Sequence, residues 1–184
     1  MQVISAIEYL NNGHYGLPLL DERLSSAFAS PKLFPGECVT VWSDQFWFMC
    51  KTCVLLSLAS RTPNHRLYVF DLTNKVADYI DPTAPIICRE EELVVRLEGL
   101  INGWSPKTGS REPPVNPSEQ IIIYVFKYGE FSHETLSLLN KLSCKGAVII
   151  SNLPIPKSSK MSSSYVRLHV TTKEDSLVFS VKRH

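Results

Sequence analysis

An uninterrupted run of six apolar residues, IIIYVF at 121–126, is the feature that most constrains the fold of this chain. A strand with one solvated face alternates apolar and polar residues, whereas a strand that is apolar throughout is typical of a parallel sheet buried on both faces. Runs of similar character occur at 38–43, 67–72 and 147–151. We therefore expect these strands to lie in the middle of a layered domain.

Segments with helical periodicity separate these strands. Apolar residues recur at helical spacing at 51–60, 90–101 and 136–142. Strands that alternate with helices indicate a parallel α/β sheet, and two strand-like runs after residue 164, joined by a polar turn, add an antiparallel hairpin. We predict one α/β domain over residues 1–184, with three layers and a mostly parallel central sheet that ends in a C-terminal antiparallel hairpin.

Two further helices are predicted before the first strand. Val3–Leu10 precede an Asn-Asn-Gly stop signal, and Leu20, Leu24 and Phe28 are spaced for one face of a helix. Two segments rich in proline, glycine, serine and lysine are predicted to be mobile loops, at 103–118 and 156–164.

The composition excludes several classes of protein. The 19 Lys and Arg residues balance 18 Asp and Glu residues, so any contact with nucleic acid needs a local basic patch. No apolar window is long enough to span a membrane. Residues 1–12 lack the pattern of a secretory signal, so we expect the five cysteines to be reduced thiols. Cys50 and Cys53 have no second pair at zinc-site spacing, and no metal is predicted.

Residues 45–52, QFWFMCKT, resemble a phosphate-binding loop that keeps only its ending. The working motif is G-x-x-x-x-G-K-[ST] between a strand and a helix, and its glycines let backbone N–H groups turn onto the phosphates. Here Gln45 and Cys50 occupy the glycine positions, while Lys51 and Thr52 keep the last two. Lys51 and Thr52 are therefore predicted to mark a degenerate, inactive nucleotide site, with Lys51 exposed at the start of a helix.

Four bulky apolar residues occupy positions at which a bound nucleotide would need accessible backbone N–H groups. They are Phe46, Trp47, Phe48 and Met49. Large apolar side chains are usually buried, so one interpretation is that they fill the place that a nucleotide left. The other is an exposed cluster that docks a partner protein. The sequence leaves both interpretations open, and the four residues are candidates for a partner interface.

Asp71 and the three glutamates at 90–92 could suggest a catalytic or metal site, but each has a simpler structural explanation. Asp71 comes at the end of a strand, where we expect it to cap the following turn. Glu90, Glu91 and Glu92 open a predicted helix, and carboxylates in a first helical turn complement the helix dipole. No catalytic role is predicted for either group.

Taken in order along the chain, several segments resemble one protein family. The segments are 19–24 with 35–37, 51–52, 67–71, 121–126 and 147–153. They resemble segments of the ATPase core of the RecA recombinase family, in its eukaryotic paralogue branch. Residues 19–24 with 35–37 resemble the approach to the first strand, and 51–52 resemble the end of Walker A. Residues 67–71 resemble the strand that normally ends in Asp-x-Glu, 121–126 resemble Walker B, and 147–153 resemble the strand that ends in Thr-Asn-Gln. The last hairpin resembles the family's closing strands. The resemblance spans about residues 17–184 and implies a RecA-like fold.

The residues on which catalysis depends in that family are replaced. The position of the catalytic glutamate, two after Asp71, holds Thr73, and the strand that resembles Walker B ends in Phe126-Lys127 without an aspartate to hold Mg²⁺. Phosphoryl transfer relies on a phosphate cradle, a metal and a positioned water. The resemblance therefore implies a pseudo-ATPase, which is not an enzyme and needs no cofactor.

For function, the resemblance implies a non-catalytic recombinase paralogue in homologous-recombination DNA repair, similar to the small subunits of Shu-type complexes. Such a protein is nuclear, forms a heterodimer with another paralogue or with a SWIM-domain protein, and assists recombinase filaments on single-stranded DNA. Two alternatives stay open: a RecA-like scaffold subunit of an Elongator-type tRNA-modification complex, and an active nucleotide-dependent ATPase.

Four basic residues are candidates for contact with DNA. The resemblance places a DNA-contacting loop around Lys157 and Lys160, and Lys182 with Arg183 extends them into a modest basic patch. The aromatic residue that flanks this loop is Tyr165, so the signal for base stacking is weak. Solvated surface charge is the simpler alternative, and the sequence does not decide between the two.

Overall fold

The computed structural model of the chain describes residues 16–57, 65–76, 86–104, 119–156 and 165–183. The helix predicted for Val3–Leu10 lies outside the described residues, as do 105–118 and 157–164 of the two predicted loops.

Four helices and nine strands make up the described residues. The helices are α1 (Glu22–Phe28), α2 (Phe46–Ser57), α3 (Glu90–Trp104) and α4 (His133–Cys144). The strands are β1 (Leu17–Pro18), β2 (Lys32–Leu33), β3 (Cys38–Trp42), β4 (His65–Asp71), β5 (Ile86–Ile87), β6 (Gln120–Phe126), β7 (Val148–Ser151), β8 (Tyr165–Lys173) and β9 (Ser176–Arg183). None of the described helices is long and apolar enough to cross a membrane.

Seven strands form the central sheet, in the order β5-β4-β6-β7-β3-β8-β9. Every neighbouring pair is parallel except β8 and β9, which form an antiparallel hairpin. In β3, Val39 lies between Ile150 of β7 and Val166 of β8. The prediction of an α/β protein with a mostly parallel central sheet and a C-terminal antiparallel hairpin is thus confirmed.

Residues of β6 point alternately into two hydrophobic clusters on opposite faces of the sheet. Ile121, Ile123 and Val125 enter one cluster, and Ile122, Tyr124 and Phe126 enter the other. Leucines of α3 and α4 cover the first face, which we call the α3/α4 face. Residues of α1 and α2 cover the second, the α1/α2 face. The continuous apolar run therefore exists because both faces of this strand are buried.

Several predicted boundaries were wrong. Leu20 is 66% exposed, because Asp21 caps α1 and the helix begins after it; the cap carboxylate accepts a hydrogen bond of 2.9 Å from the Arg23 amide. Helix α3 continues to Trp104, so the predicted loop at 103–118 cannot begin at 103. The two-stranded sheet of β1 and β2 was not predicted, since strands of two residues carry no periodic pattern.

Gly16 holds this small sheet close to β6. Its backbone φ is +84°, its amide donates a 2.8 Å hydrogen bond to Gln120 Oε1, and an added Cβ would lie 2.1 Å from the Leu33 carbonyl oxygen. A side chain at this position therefore meets backbone that cannot move without separating β1 from β2. Gly129 has a similar φ of +82°, but no atom lies within 4 Å of an added Cβ.

We expect Gly16→Ala to cost more stability than Gly129→Ala. Both variants place a side chain at positive φ, which costs about 1–2 kcal/mol, and only Gly16→Ala adds a clash with backbone. The free energy of unfolding, measured by urea denaturation, should fall by roughly 2–4 kcal/mol for Gly16→Ala and by clearly less for Gly129→Ala. Equal losses would show that the β1–β2 sheet does not constrain Gly16.

Candidate functional site

The carboxyl ends of the parallel strands line one edge of the sheet, which we call the carboxyl edge. In open α/β sheets, ligands bind in the crevice outside this edge. Trp42 ends β3, Asp71 ends β4, and Lys127 and Asn152 directly follow β6 and β7. The segments that the sequence singled out as remnants of a nucleotide site therefore meet at one edge.

The connection from β3 to α2 contains only three residues, Ser43, Asp44 and Gln45. The sequence predicted a helix that begins at Lys51, and this was wrong because α2 begins at Phe46. The Phe48 amide already bonds to the Gln45 carbonyl at 3.1 Å. With no glycine in this stretch, helical backbone is favoured, and amides that would surround a phosphate in a working loop belong to the first turns of a helix.

Lys51 and Thr52 are both engaged within α2. Lys51 is exposed, as predicted, and its Nζ lies 5.5 Å from the centre of the Trp47 ring, a cation–π distance. Thr52 is fully buried, and its Oγ1 donates a 2.8 Å hydrogen bond to the Phe48 carbonyl one turn earlier. Neither side chain is positioned as in a phosphate- or magnesium-binding loop.

The four candidate interface residues divide between core and surface. Met49 is only 8% exposed and belongs to the cluster on the α1/α2 face, so it is core in this chain. Phe46 and Phe48 are half-buried and pack against the same cluster. Trp47 is 40% exposed, and its Nε1 donates a 2.7 Å hydrogen bond to Gln45 Oε1. Met49 therefore fits the interpretation as core, while the partner interface stays a prediction for the exposed Trp47.

An exposed aromatic surface results at the carboxyl edge. The Phe46 ring lies 5.8 Å from the Tyr128 ring, and the Trp47 ring lies 4.1 Å from the Phe48 ring. Tyr128 is 53% exposed. We call Phe46, Trp47, Phe48 and Tyr128 the aromatic edge. Sequence reasoning missed Tyr128, although an aromatic residue two positions after a buried strand is a signal that it follows the strand to this edge.

Asp71 is committed to the turn that follows β4. Its Oδ1 accepts hydrogen bonds from the Thr73 amide at 2.8 Å and the Thr73 hydroxyl at 2.6 Å. The amides of Asn74 and Val76 add bonds of 3.1 and 3.0 Å. The structure thus agrees with the interpretation of Asp71 as a cap. Thr73 is buried and serves the same turn.

Lys127 links the ends of three elements. Its amide donates to Asn152 Oδ1 at 2.9 Å, and Asn152 Nδ2 donates to the Lys127 carbonyl at 2.8 Å, so these two residues join the ends of β6 and β7. Its ammonium forms a 2.8 Å ion pair with Glu90 at the start of α3. Lys127 therefore links the end of β6 to the start of α3 through an ion pair.

Glu90 does more than complement the dipole of α3, because its carboxylate also binds residues near the start of α4. Besides the lysine, its carboxylate accepts hydrogen bonds from the Ser132 amide at 2.6 Å and from Thr135 Oγ1 at 2.9 Å. Burial raises the pKa of Glu90, but the hydrogen bonds from Lys127, Ser132 and Thr135 together outweigh it and lower the pKa from 4.5 to about 2. This network ties α3 to the start of α4.

The structure describes two of the four candidate DNA-contacting residues, Lys182 and Arg183. Lys157 and Lys160 lie outside the described residues. Lys182 and Arg183 are neighbours on β9, where successive side chains point to opposite faces. Arg183 Nη1 forms a 2.6 Å ion pair with the buried Glu37, so its charge is compensated. Lys182 points to the α3/α4 face and is exposed.

The described cysteines are free, and three of them have strongly shifted acidities. Burial raises the pKa of Cys38 and Cys88 to about 11 and that of Cys50 to about 12. A thiol with such a pKa stays protonated at neutral pH and is neither a good nucleophile nor a ready metal ligand. Within the described ranges, no group of three or more His, Cys, Asp or Glu residues is arranged to hold a metal ion.

Comparison with known proteins does not assign this chain. No protein-family model matches it, and no curated protein matches it. What the protein does must therefore be inferred from its own fold and from the residues at the carboxyl edge.

We expect Glu90→Gln to destabilise the chain at neutral pH and much less in acid. The folded-state pKa lies below the unfolded value, so the ion pair and hydrogen bonds contribute fully above pH 4.5, and the contribution is lost as the pH falls through about 2. After allowance for solvent screening, the loss at pH 7 should be about 1–2 kcal/mol.

The control is Glu91→Gln, which removes an exposed carboxylate from the same turn of α3. The measurement is the free energy of unfolding of wild type and both variants in a pH series from 7 down to 2. A deficit of Glu90→Gln that stays constant across the series would contradict the assignment of the low pKa to Glu90.

We also expect MgATP at millimolar concentration to leave the melting temperature of the chain unchanged. A ligand present at a hundred times its Kd stabilises a folded protein by about 2.7 kcal/mol, which a melting curve detects readily. Lys51→Ala should behave like wild type in this assay and should retain function in cells. Saturable stabilisation of wild type that is lost in Lys51→Ala would show a working nucleotide site.

Proposed function

We propose that this chain is a non-catalytic, RecA-like recombinase paralogue that acts in homologous-recombination DNA repair in the nucleus. It works by binding: the aromatic edge docks a partner, and the pair assists a recombinase filament on single-stranded DNA. The observation that carries the proposal is the connection from β3 to α2, where a helix with an exposed Trp47 stands in place of a phosphate-binding loop.

The order of strands supports the RecA-like part of the proposal. The segments that resemble Walker A, the Thr-Asn-Gln strand and Walker B lie on β3, β7 and β6, which are consecutive neighbours in the sheet. Their carboxyl ends therefore face the same crevice, as a shared nucleotide site requires.

The side chains at the carboxyl edge support a role without catalysis. A phosphoryl-transfer site needs backbone amides around the phosphates, an acidic ligand for the metal and a residue that positions water. Here the amides are helical, Lys127 replaces the acidic ligand, and Thr73 bonds to Asp71 in place of a catalytic glutamate.

The aromatic edge supports a protein partner. Aromatic residues are enriched in the cores of interfaces, and tryptophan is common among the residues that carry most of the binding energy. Trp47 and Tyr128 are exposed in the chain, and Phe46 and Phe48 support them from below. The resemblance indicates a heterodimer with another recombinase paralogue or a SWIM-domain protein, whose surface would cover this edge.

The test of this function is to identify the partners captured by the tagged chain from its native cells. We expect a recombinase paralogue or a SWIM-domain protein, and we expect Trp47→Ala to capture less of it. Capture of tRNA-modification subunits in its place would favour the Elongator-type alternative and overturn the repair function.

Trp47→Ala should weaken binding to that partner by roughly thirtyfold, on the order of 2 kcal/mol, while the melting temperature of the isolated chain stays unchanged. The control is Trp42→Ala, which removes an exposed indole from the α3/α4 face, away from α2. Partner affinity and melting temperature are measured for both variants. A lowered melting temperature with intact binding would mean that Trp47 is core and that the aromatic edge is not the docking surface.

A further inference from the structure

One face of the C-terminal hairpin is open. In β8, Val166, Leu168 and Val170 are buried against the α1/α2 face. The residues between them point to the α3/α4 face. Exposed side chains from both strands of the hairpin lie there, namely Arg167, Thr171, Val178, Ser180 and Lys182. We call these five residues the open face.

Two cations lie directly opposite each other on this face. Arg167 of β8 pairs in register with Lys182 of β9, and both are exposed. Directly opposed like charges destabilise an antiparallel pair. Neither side chain forms an ion pair with any described residue. An anion bound beside both cations would relieve the repulsion between them.

The nearby acidic side chains do not compensate this pair. Glu174 and Asp175 form the turn of the hairpin and lie beyond Lys173. Asp44 is exposed in the connection that follows β3. The arginine–lysine pair lies several residues away from the hairpin turn, near the other end of β9.

An exposed indole lies beside this pair. Trp42, at the end of β3, is 52% exposed and points to the same face, in register with His169 of β8. Its ring centre is 4.4 Å from that of His169, so one side of the indole is supported. Thr40, two residues before Trp42, is in register with Arg167. Trp42 is thus offset from the cation pair by about 7 Å along the strand direction.

We propose that Arg167, Lys182 and Trp42 form a contact site for single-stranded DNA on the open face. Proteins that bind single strands combine cations that follow the phosphates with aromatic side chains on which bases stack. A duplex keeps its bases stacked on each other, so an indole on an open sheet selects unpaired bases. The choice of DNA as the ligand rests on the proposed function, whereas the chemistry of the site rests on the three side chains.

This site is separate from the docking surface of the partner. Trp47 belongs to α2, which packs on the α1/α2 face, whereas Trp42 points to the α3/α4 face. The two contacts therefore do not compete for the same side of the sheet, and each can be removed without the other.

The experiment measures binding of the full chain to a fluorescein-labelled oligodeoxythymidylate and to a duplex of the same length, over a range of salt concentrations. We expect the double variant Arg167→Ala/Lys182→Ala to bind the single strand at least tenfold more weakly. Its slope of log K against log salt should be smaller by about 1.4, since each lost phosphate contact on a single strand removes about 0.7.

Trp42→Ala should weaken binding of the single strand by about tenfold, as expected for the loss of one stacked base, and should leave duplex binding unchanged. The matched control is Lys75→Ala, which removes an exposed cation beside β4, a strand that three others separate from β8 in the sheet. It should bind like wild type. The double variant should melt at the wild-type temperature or above, because it removes a repulsive pair.

If the double variant binds the single strand with wild-type affinity and wild-type salt slope, the proposed site is wrong. It is also wrong if Trp42→Ala loses as much affinity for the duplex as for the single strand. Competition by polyglutamate as effective as that by unlabelled oligonucleotide would point to an acidic protein segment and would also overturn it. Capture of the partner depends on Trp47, which these variants keep. Intact capture without binding to DNA would therefore refute this site and leave the proposed function standing.

Discussion

The burial of β6 on both faces is the constraint on which the rest of the structure depends. Every residue from Gln120 to Phe126 is buried, and the side chains alternate between two hydrophobic clusters. A strand of this kind is stable only between two layers of helices. When helices connect successive strands across both faces of a sheet, the strands are parallel. The carboxyl ends of β3, β4, β6 and β7 therefore lie at one edge.

Polar side chains at the carboxyl edge form hydrogen bonds with neighbouring residues of the chain. Asp71 is occupied by the turn after β4, Asn152 and Lys127 satisfy each other's polar groups, and Thr52 bonds within α2. A site that binds nucleotide must instead keep donors free for phosphate. Trp47 and Tyr128 are exposed beside these paired groups. In the function that we propose, these aromatic side chains contact a protein partner.

The sequence predicted what depends on local pattern and missed what depends on distant neighbours. The apolar run of β6 and the final hairpin were readable, because their patterns follow directly from burial. The start of α2 was misplaced because the motif suggested a loop, while residues 46–50 contain neither glycine nor proline to interrupt a helix. That earlier start also decides that Met49 faces the core and Trp47 the solvent. The contacts of Glu90 join residues 42 and 45 positions apart, which no local pattern contains. By contrast, strand alternation already implied that Lys182 and Arg183 point to opposite faces.

In the function that we propose, loss of the nucleotide site changes how binding is controlled. An active ATPase can release its partner or DNA through hydrolysis, because the two nucleotide states bind with different affinity. A chain without that step has no chemical event to separate them, so its occupancy follows concentration and affinity alone. In such a chain, control passes to the supply of the partner.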